Sequence, residues 1–122
     1  MEDGDLTYQV IGAAMAVHQE LGRGLLEKPY ENALAIELDE RGIAFEQQPS
    51  YSIVYHGKPV GFCVPDFVIG NEVVVDCKSV KTIGDNEIAQ MLNYLRIAKK
   101  AVGLVINFRG KSLEFRRVVD PP

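Results

Sequence analysis

The stretch from Pro65 to Lys78 most constrains what this chain can become. Pro65-Asp66-Phe67-Val68-Ile69 is an apolar run led by an acid, and Gly70-Asn71-Glu72 carries turn residues. Val73-Val74-Val75-Asp76-Cys77-Lys78 then returns with a second acid two residues before a lysine. Two strands joined as a hairpin are predicted. Strand side chains alternate in direction, so Asp76 and Lys78 share a face while Val75 and Cys77 enter the opposite layer. Parity decides whether Asp66 joins them. A loop centred on Asn71, Gly70-Asn71-Glu72 or one of the same parity, sets Asp66 opposite Asp76. A two-residue turn at Gly70-Asn71 sets Asp66 opposite Val75 and throws the acids onto different faces.

The rest of the chain supplies a frame for that hairpin. Leu6, Val10, Ala14, Val17 and Leu21 form a helical stripe ended by Gly22. A second helix runs through Tyr30, Ala33, Leu34 and Leu38, with Pro29 in its first turn and Gly42 closing it. Strands are predicted over 44–48, 52–55, 61–69 and 72–79. Asp85-Asn86 precedes a third helix with Ile88, Met91, Leu92 and Leu95 inward. The apolar run 101–108 reads as a buried strand, and 112–119 as a last one. The order predicts a β-meander with helices on its faces, a late helix crossing over to a further strand, and the Asp66–Lys78 hairpin as the sheet's active edge.

With 122 residues, the chain has the length of one domain spanning 1–122. No window approaches a membrane span, and the acidic start Met1-Glu2-Asp3-Gly4-Asp5 is the opposite of a signal-peptide leader. Cys63 and Cys77 form no CxxC and are expected as reduced core thiols of a cytoplasmic protein. The net charge of −4 weighs against a strong non-specific nucleic-acid binder. That charge is uneven: residues 1–50 carry three basic and ten acidic side chains, whereas residues 51–122 carry ten basic and seven acidic. The half with the hairpin is the basic half.

Two acids and a lysine on one face are what metal-assisted phosphodiester hydrolysis requires. The carboxylates hold a hard divalent cation, and the lysine meets charge building on phosphate or on the attacking water. At about 4 Å two carboxylates repel by roughly 4 kcal/mol at an effective dielectric near 20, a conflict that a divalent ion removes. The ordinary alternative is a pair of solvated strand-end acids with Lys78 in a surface salt bridge. His18 lies beside the first helical stripe and His56 in a turn. Neither has a ligand partner at helical or strand spacing, so both read as structural or solvated.

Three blocks together resemble a known family. Gly24-Leu25-Leu26-Glu27-Lys28-Pro29-Tyr30 matches the motif that names the bacterial GxxExxY proteins, a branch of the PD-(D/E)XK nuclease superfamily. Pro65-Asp66 and Asp76-Cys77-Lys78 match the superfamily signature, and Gln90 to Tyr94 resembles the Gln-x-x-x-Tyr helix of RecB-type members. The similarity covers roughly residues 10–119. Asp76 stands where many members carry glutamate, and Arg23 where a proline is common. The resemblance implies a restriction-endonuclease-like α/β fold, a mixed sheet flanked by helices with an αβββαβ-type core. It implies Asp66, Asp76 and a carboxylate of the second helix as metal ligands. Glu27 is the motif's own glutamate and is preferred there, while Glu31 reads as an ordinary acid of a helix N-terminus. Tyr30 reads as a packing residue with a hydrogen-bonded hydroxyl. By the same resemblance Gln90 touches a water or metal ligand, and Tyr94 the substrate backbone.

The reading that joins these signals is a Mg²⁺- or Mn²⁺-dependent nuclease, with DNA ahead of RNA as substrate. Asp66, Asp76 and Glu27 hold metal, with Lys78 and Gln90 in the catalytic set. So small a chain offers little surface to a duplex, so a homodimer or a partner protein is expected. The alternative is a nuclease fold kept as a nucleic-acid- or protein-binding module, which has no need of a divalent-ion site. A metal hydrolase acting on other substrates would call for histidine ligands that this chain does not place.

Overall fold

The computed structural model describes residues 3–120, with side chains from residue 6 onward. Two helices come first, α1 (Asp3–Leu21) and α2 (Glu27–Glu40). Then follow β1 (Phe45–Gln47), β2 (Tyr51–Tyr55), β3 (Lys58–Cys63), β4 (Phe67–Ile69) and β5 (Val73–Lys78). Helix α3 (Asp85–Ala98), β6 (Val102–Asn107) and β7 (Glu114–Val119) complete the order.

The main sheet has five strands in the order β1-β4-β5-β6-β7. β5 and β6 run parallel and the other neighbours antiparallel, with α3 as the crossover between the parallel pair. β5 and β6 are therefore buried on both faces, which explains their unbroken apolar runs. Odd-numbered β5 residues Val73, Val75 and Cys77 pack under α1 and α2, with Val10, Val17, Tyr30, Leu34 and Leu38. Even-numbered Val74, with Val68 and Val105, packs under α3 against Met91 and Leu95. Helix α3 lies so close to β6 that a Cβ on Gly103 would collide with the Met91 side chain.

The hairpin satisfies the parity condition. Phe67 pairs with Val75, Val68 with Val74 and Ile69 with Val73, a register centred on Asn71. Gly70 (φ 60°) and Asn71 (φ 59°) are both left-handed, a region open to glycine and tolerated by asparagine. The Glu72 N–H closes the turn on the Ile69 carbonyl at 3.0 Å, and Glu72 is the extra residue that carries the pairing on to Val73.

Two expectations are corrected. The segment 61–69 is two strands, not one. Pro65 lacks an N–H and biases the residue before it away from regular pairing, so the chain breaks at Val64-Pro65-Asp66. The piece before the break pairs with β2 as a separate two-stranded sheet, which removes β2 and β3 from the expected meander. The Asp66–Lys78 hairpin is also not at an edge: β1 covers β4, and β6 covers β5.

Candidate active site

Extending the β4–β5 register by one residue sets Asp66 opposite Asp76, where the strands diverge. Each acid accepts a backbone N–H from the opposite strand segment. The Asp66 N–H donates to Asp76 Oδ1 at 2.9 Å, and the Cys77 N–H donates to Asp66 Oδ2 at 2.7 Å. The second oxygen of Asp76 faces Lys78 Nζ at 3.3 Å, and Lys78 donates to Gln90 Oε1 on α3 at 2.6 Å. Asp76 is buried, at 4% exposure. Asp66, Asp76, Lys78 and Gln90 thus stand together, as their strand parity and helical face require.

Helix α2 brings two carboxylates to the same rim. Glu27, at its first residue, accepts the Ser79 N–H at 3.1 Å, one residue beyond Lys78. Glu31, one turn on, is 4% exposed. It accepts from Gln47 Nε2 at 2.7 Å and Gln48 Nε2 at 3.2 Å, and pairs with Lys28 at 3.3 Å. The ordinary-acid reading of Glu31 is therefore corrected: such burial belongs to a carboxylate that is held in place. The Gln48 N–H also donates to the Asp66 carbonyl at 2.7 Å, tying this glutamine pair to the acid's own backbone. Gln47 and Gln48 gave no signal in the sequence beyond two polar residues at a strand end. Glu31 gave one, its i,i+4 spacing from Glu27.

Negative charge exceeds positive charge here. Burial pushes the Asp66 carboxyl up to about 7, helped by the charge of Asp76, against the lowering effect of the Cys77 N–H; Glu31 adds to the rise. Burial likewise raises Asp76, opposed by the Asp66 N–H and Lys78. The Cys77 thiol is driven well above its ordinary value, by burial first and then by Asp66, Asp76, Glu31 and Glu27 together. The charges of all four carboxylates thus reach the Cys77 thiol, and Lys78 contacts one of them, Asp76, at 3.3 Å.

Among the described residues, no three histidine, cysteine or carboxylate side chains are drawn together in a metal-holding arrangement. Asp76 instead accepts the Asp66 N–H, and Asp66 accepts the Cys77 N–H. The donor set nevertheless fits a hard cation: all its candidate ligand atoms are carboxylate oxygens, and their mutual repulsion is what a divalent charge relieves.

Tyr94 is half-buried on α3, hydrogen-bonded to Gln90. Its hydroxyl is raised by burial and then by the charges of Asp76, Cys63 and Asp66. Tyr30 is buried, its ring stacked on Phe108 at 4.6 Å. Its hydroxyl donates to the Gly22 carbonyl at 2.6 Å and accepts the Leu25 N–H at 3.2 Å, fastening the loop before Glu27. Tyr30→Phe keeps the ring but loses both bonds. It is expected to cost about 1–2 kcal/mol, read by thermal denaturation. His18 Nε2 donates to the Phe108 and Gly110 carbonyls (3.1 and 2.9 Å), and His56 stacks on Tyr55. Both lie outside the acidic cluster. Cys63 and Cys77 are free and buried.

A second network, invisible in the sequence, shapes the rim. Buried Asn107 accepts the Val80 N–H at 3.0 Å and donates to the Val80 carbonyl at 2.8 Å and to Glu114 at 2.9 Å. Glu114 in turn accepts the Ile83 N–H at 3.1 Å. The loop between Lys78 and α3 is thereby pinned to the ends of β6 and β7.

This frame, a mixed sheet with paired acids and a lysine where β4 and β5 diverge, is that of a nuclease-type α/β fold. The model of the PD-(D/E)XK nuclease superfamily matches residues 4–118, and the chain belongs to that superfamily. Three solved structures are similar in fold. The crystal structure of SSO0001 superposes with a TM-score of 0.59 at 16% identity, over 75% of this chain and 49% of that one. The chain thus spans about half the length of that protein. The alkaline exonuclease LHK-Exo of Laribacter hongkongensis gives 0.54 at 14% identity, over 98% of this chain and 71% of its own. A phage-related exonuclease from Haemophilus somnus 129PT gives 0.50 at 8% identity, over 92% and 72%. No curated protein matches the chain significantly in sequence. No helix among the described residues is long and apolar enough to cross a membrane.

Proposed function

We propose that this chain is a Mg²⁺- or Mn²⁺-dependent nuclease hydrolysing phosphodiester bonds, with DNA as its substrate. The observation that carries the reading is the locked pair Asp66–Asp76 with Lys78 on the same face and more buried negative charge than Lys78 can balance. Asp66 and Asp76 would hold the cation, with Glu27 as the third carboxylate and Glu31 close behind Asp66. A divalent cation bound there would acidify a water and neutralise charge on the phosphate.

The remaining work falls to the chain's own groups. Lys78 donates to the phosphate oxygens on which charge builds, and Gln90 aims its ammonium by accepting a hydrogen bond from it at 2.6 Å. Glu27 ties the helix to the backbone after Lys78, so the motif acid and the strand lysine move as one. Membership of the GxxExxY group is supported by its named residues. Glu27 reaches the site rim, while Tyr30 clamps the loop that starts at Gly22. A homodimer or a partner protein would add the surface a duplex needs, and two free thiols suit the cytoplasm.

Linear and circular DNA, and RNA, incubated with the protein in Mg²⁺, Mn²⁺ or EDTA test this. Cleavage of DNA in either metal and none in EDTA is expected, and the circular substrate separates endo- from exonuclease action. No cleavage of any substrate would favour the nuclease fold as a binding module.

A further inference from the structure

The catalytic reading leaves the phosphates on either side of the scissile bond without a partner. Lys78 is engaged with Asp76 and Gln90, and the carboxylates around it repel a polyanion. Two loops at the same end of the sheet carry charge of the opposite sign. Lys78 pairs with Asn107 across the parallel strands, and the Phe108 N–H donates to the Lys78 carbonyl at 3.0 Å. Beyond these residues run the β5–α3 loop, with Lys81, and the β6–β7 loop, with Arg109. One buried side chain fixes both loops. The Val80 and Arg109 N–H groups converge on Asn107 Oδ1, at 3.0 and 3.3 Å, and the Asn107 amide donates to the Val80 carbonyl at 2.8 Å. Lys81 stands three residues after Lys78, so their Cα atoms lie at most about 11 Å apart.

Lys81 and Arg109 are both exposed, and among the described residues neither side chain takes part in an ion pair or a hydrogen bond. Lys28, Arg41 and Lys78, by contrast, are each paired with a carboxylate. We infer that Lys81 and Arg109 hold the DNA backbone beside the scissile phosphate and so position the strand over Asp66, Asp76 and Lys78. The inference deepens the nuclease reading of that site and rests on it. Phosphates recur every ~3.4 Å of duplex axis along a strand, so cations this close to Lys78 meet phosphates only a few steps from the one being cut. Contacts of this kind fix register and carry no sequence information. Because Asn107 already holds both backbones, little ordering remains to oppose binding. Attraction is also confined to one end of the sheet, which suits a chain whose net charge is −4.

Binding of a short fluorescent DNA duplex is measured in EDTA, so that hydrolysis does not intervene, between about 50 and 200 mM salt. Lys81→Gln and Arg109→Gln should each reduce the steepness of log K against log salt by about 0.9, and the double variant by about 1.8. Each contact then accounts for about threefold of the affinity lost across that range, equally on duplexes of different sequence. Lys81→Arg should keep the wild-type slope, and so should Lys58→Gln, which removes an exposed lysine of the hairpin outside the main sheet. Circular dichroism checks that each variant folds. A double variant with the wild-type slope, an equal loss in Lys58→Gln, or a wild type that binds no duplex at low salt overturns the inference. Hydrolysis of bis(p-nitrophenyl) phosphate by wild type in Mn²⁺, measured in parallel, reports on the catalytic reading by itself, since this small ester has no flanking phosphates. Ester turnover with an unchanged slope in the double variant overturns the inference alone. No turnover, with the slope reduced as expected, fails the catalytic reading and leaves the two contacts standing.

Discussion

Asp76→Asn is expected to lower metal-dependent DNA cleavage at least about a thousandfold while the protein stays folded, since charge at the reacting phosphate carries several kcal/mol of the rate. The amide is the informative replacement. Its oxygen can still accept the Asp66 N–H that Asp76 Oδ1 now takes at 2.9 Å, so what is lost is charge and not the hairpin's cross-link. Alanine would also strand that N–H, at a cost of about 1–3 kcal/mol, and mix a folding defect with the catalytic one. Lys78→Ala should cost about a hundred- to a thousandfold by removing the donor that faces the developing charge. Rates on linear DNA in Mg²⁺, with circular dichroism as the folding control, provide the measurement. Asp76→Asn protein that cleaves at wild-type rate would sink the assignment of the site.

Divalent metal is expected to stabilise the protein, and Asp66→Asn to stabilise it without metal. Ligand at a hundred times its Kd adds about 2.7 kcal/mol, roughly 8–15 °C in Tm for a chain of this size. EDTA should reverse the rise and Asp76→Asn should prevent it. In the metal-free protein the Asp66 carboxyl titrates at about 7, raised by burial and then by Asp76, against 3.8 when unfolded. Between those values the folded state holds a proton that the unfolded state has lost, so stability falls as pH rises from about 4 to 7 and levels off above. The amide in Asp66→Asn would keep the acceptor for the Cys77 N–H, carry no charge, and offer an N–H to Glu31. A gain of about 1–2 kcal/mol at pH 8, shrinking towards pH 4, is the expected size once solvent screening is allowed for. Scanning calorimetry at several pH values, with and without Mg²⁺, reads both effects. A Tm indifferent to metal would leave the acids without the role assigned to them.

Much of this geometry was legible in the chain itself. Alternation along 73–78 sets Asp76 and Lys78 on one face, and the turn residues Gly70-Asn71-Glu72 leave two parities of which the structure takes the one centred on Asn71. The i,i+4 spacing of Gln90 and Tyr94 sets them on one side of α3, from which Gln90 accepts a hydrogen bond from Lys78 at 2.6 Å. Glu31 was misread because an acid near a helix N-terminus is usually solvated. Its burial comes from Gln47 and Gln48, sixteen and seventeen residues on, which the chain brings back only through the β1–β4 pairing. The separation of β2 and β3 hangs on one proline inside an otherwise continuous apolar run.

What repeats over a few residues was written in the chain: helical stripes, strand alternation, turn chemistry, and the order of acid, acid and lysine. Those follow from backbone geometry and side-chain direction, which act at short range. Long-range packing placed the hairpin in mid-sheet and brought Glu27 and Glu31 of α2 up to the strand acids. Each of these depends on which distant segments exclude water from one another, and short-range periodicity carries no information about that choice.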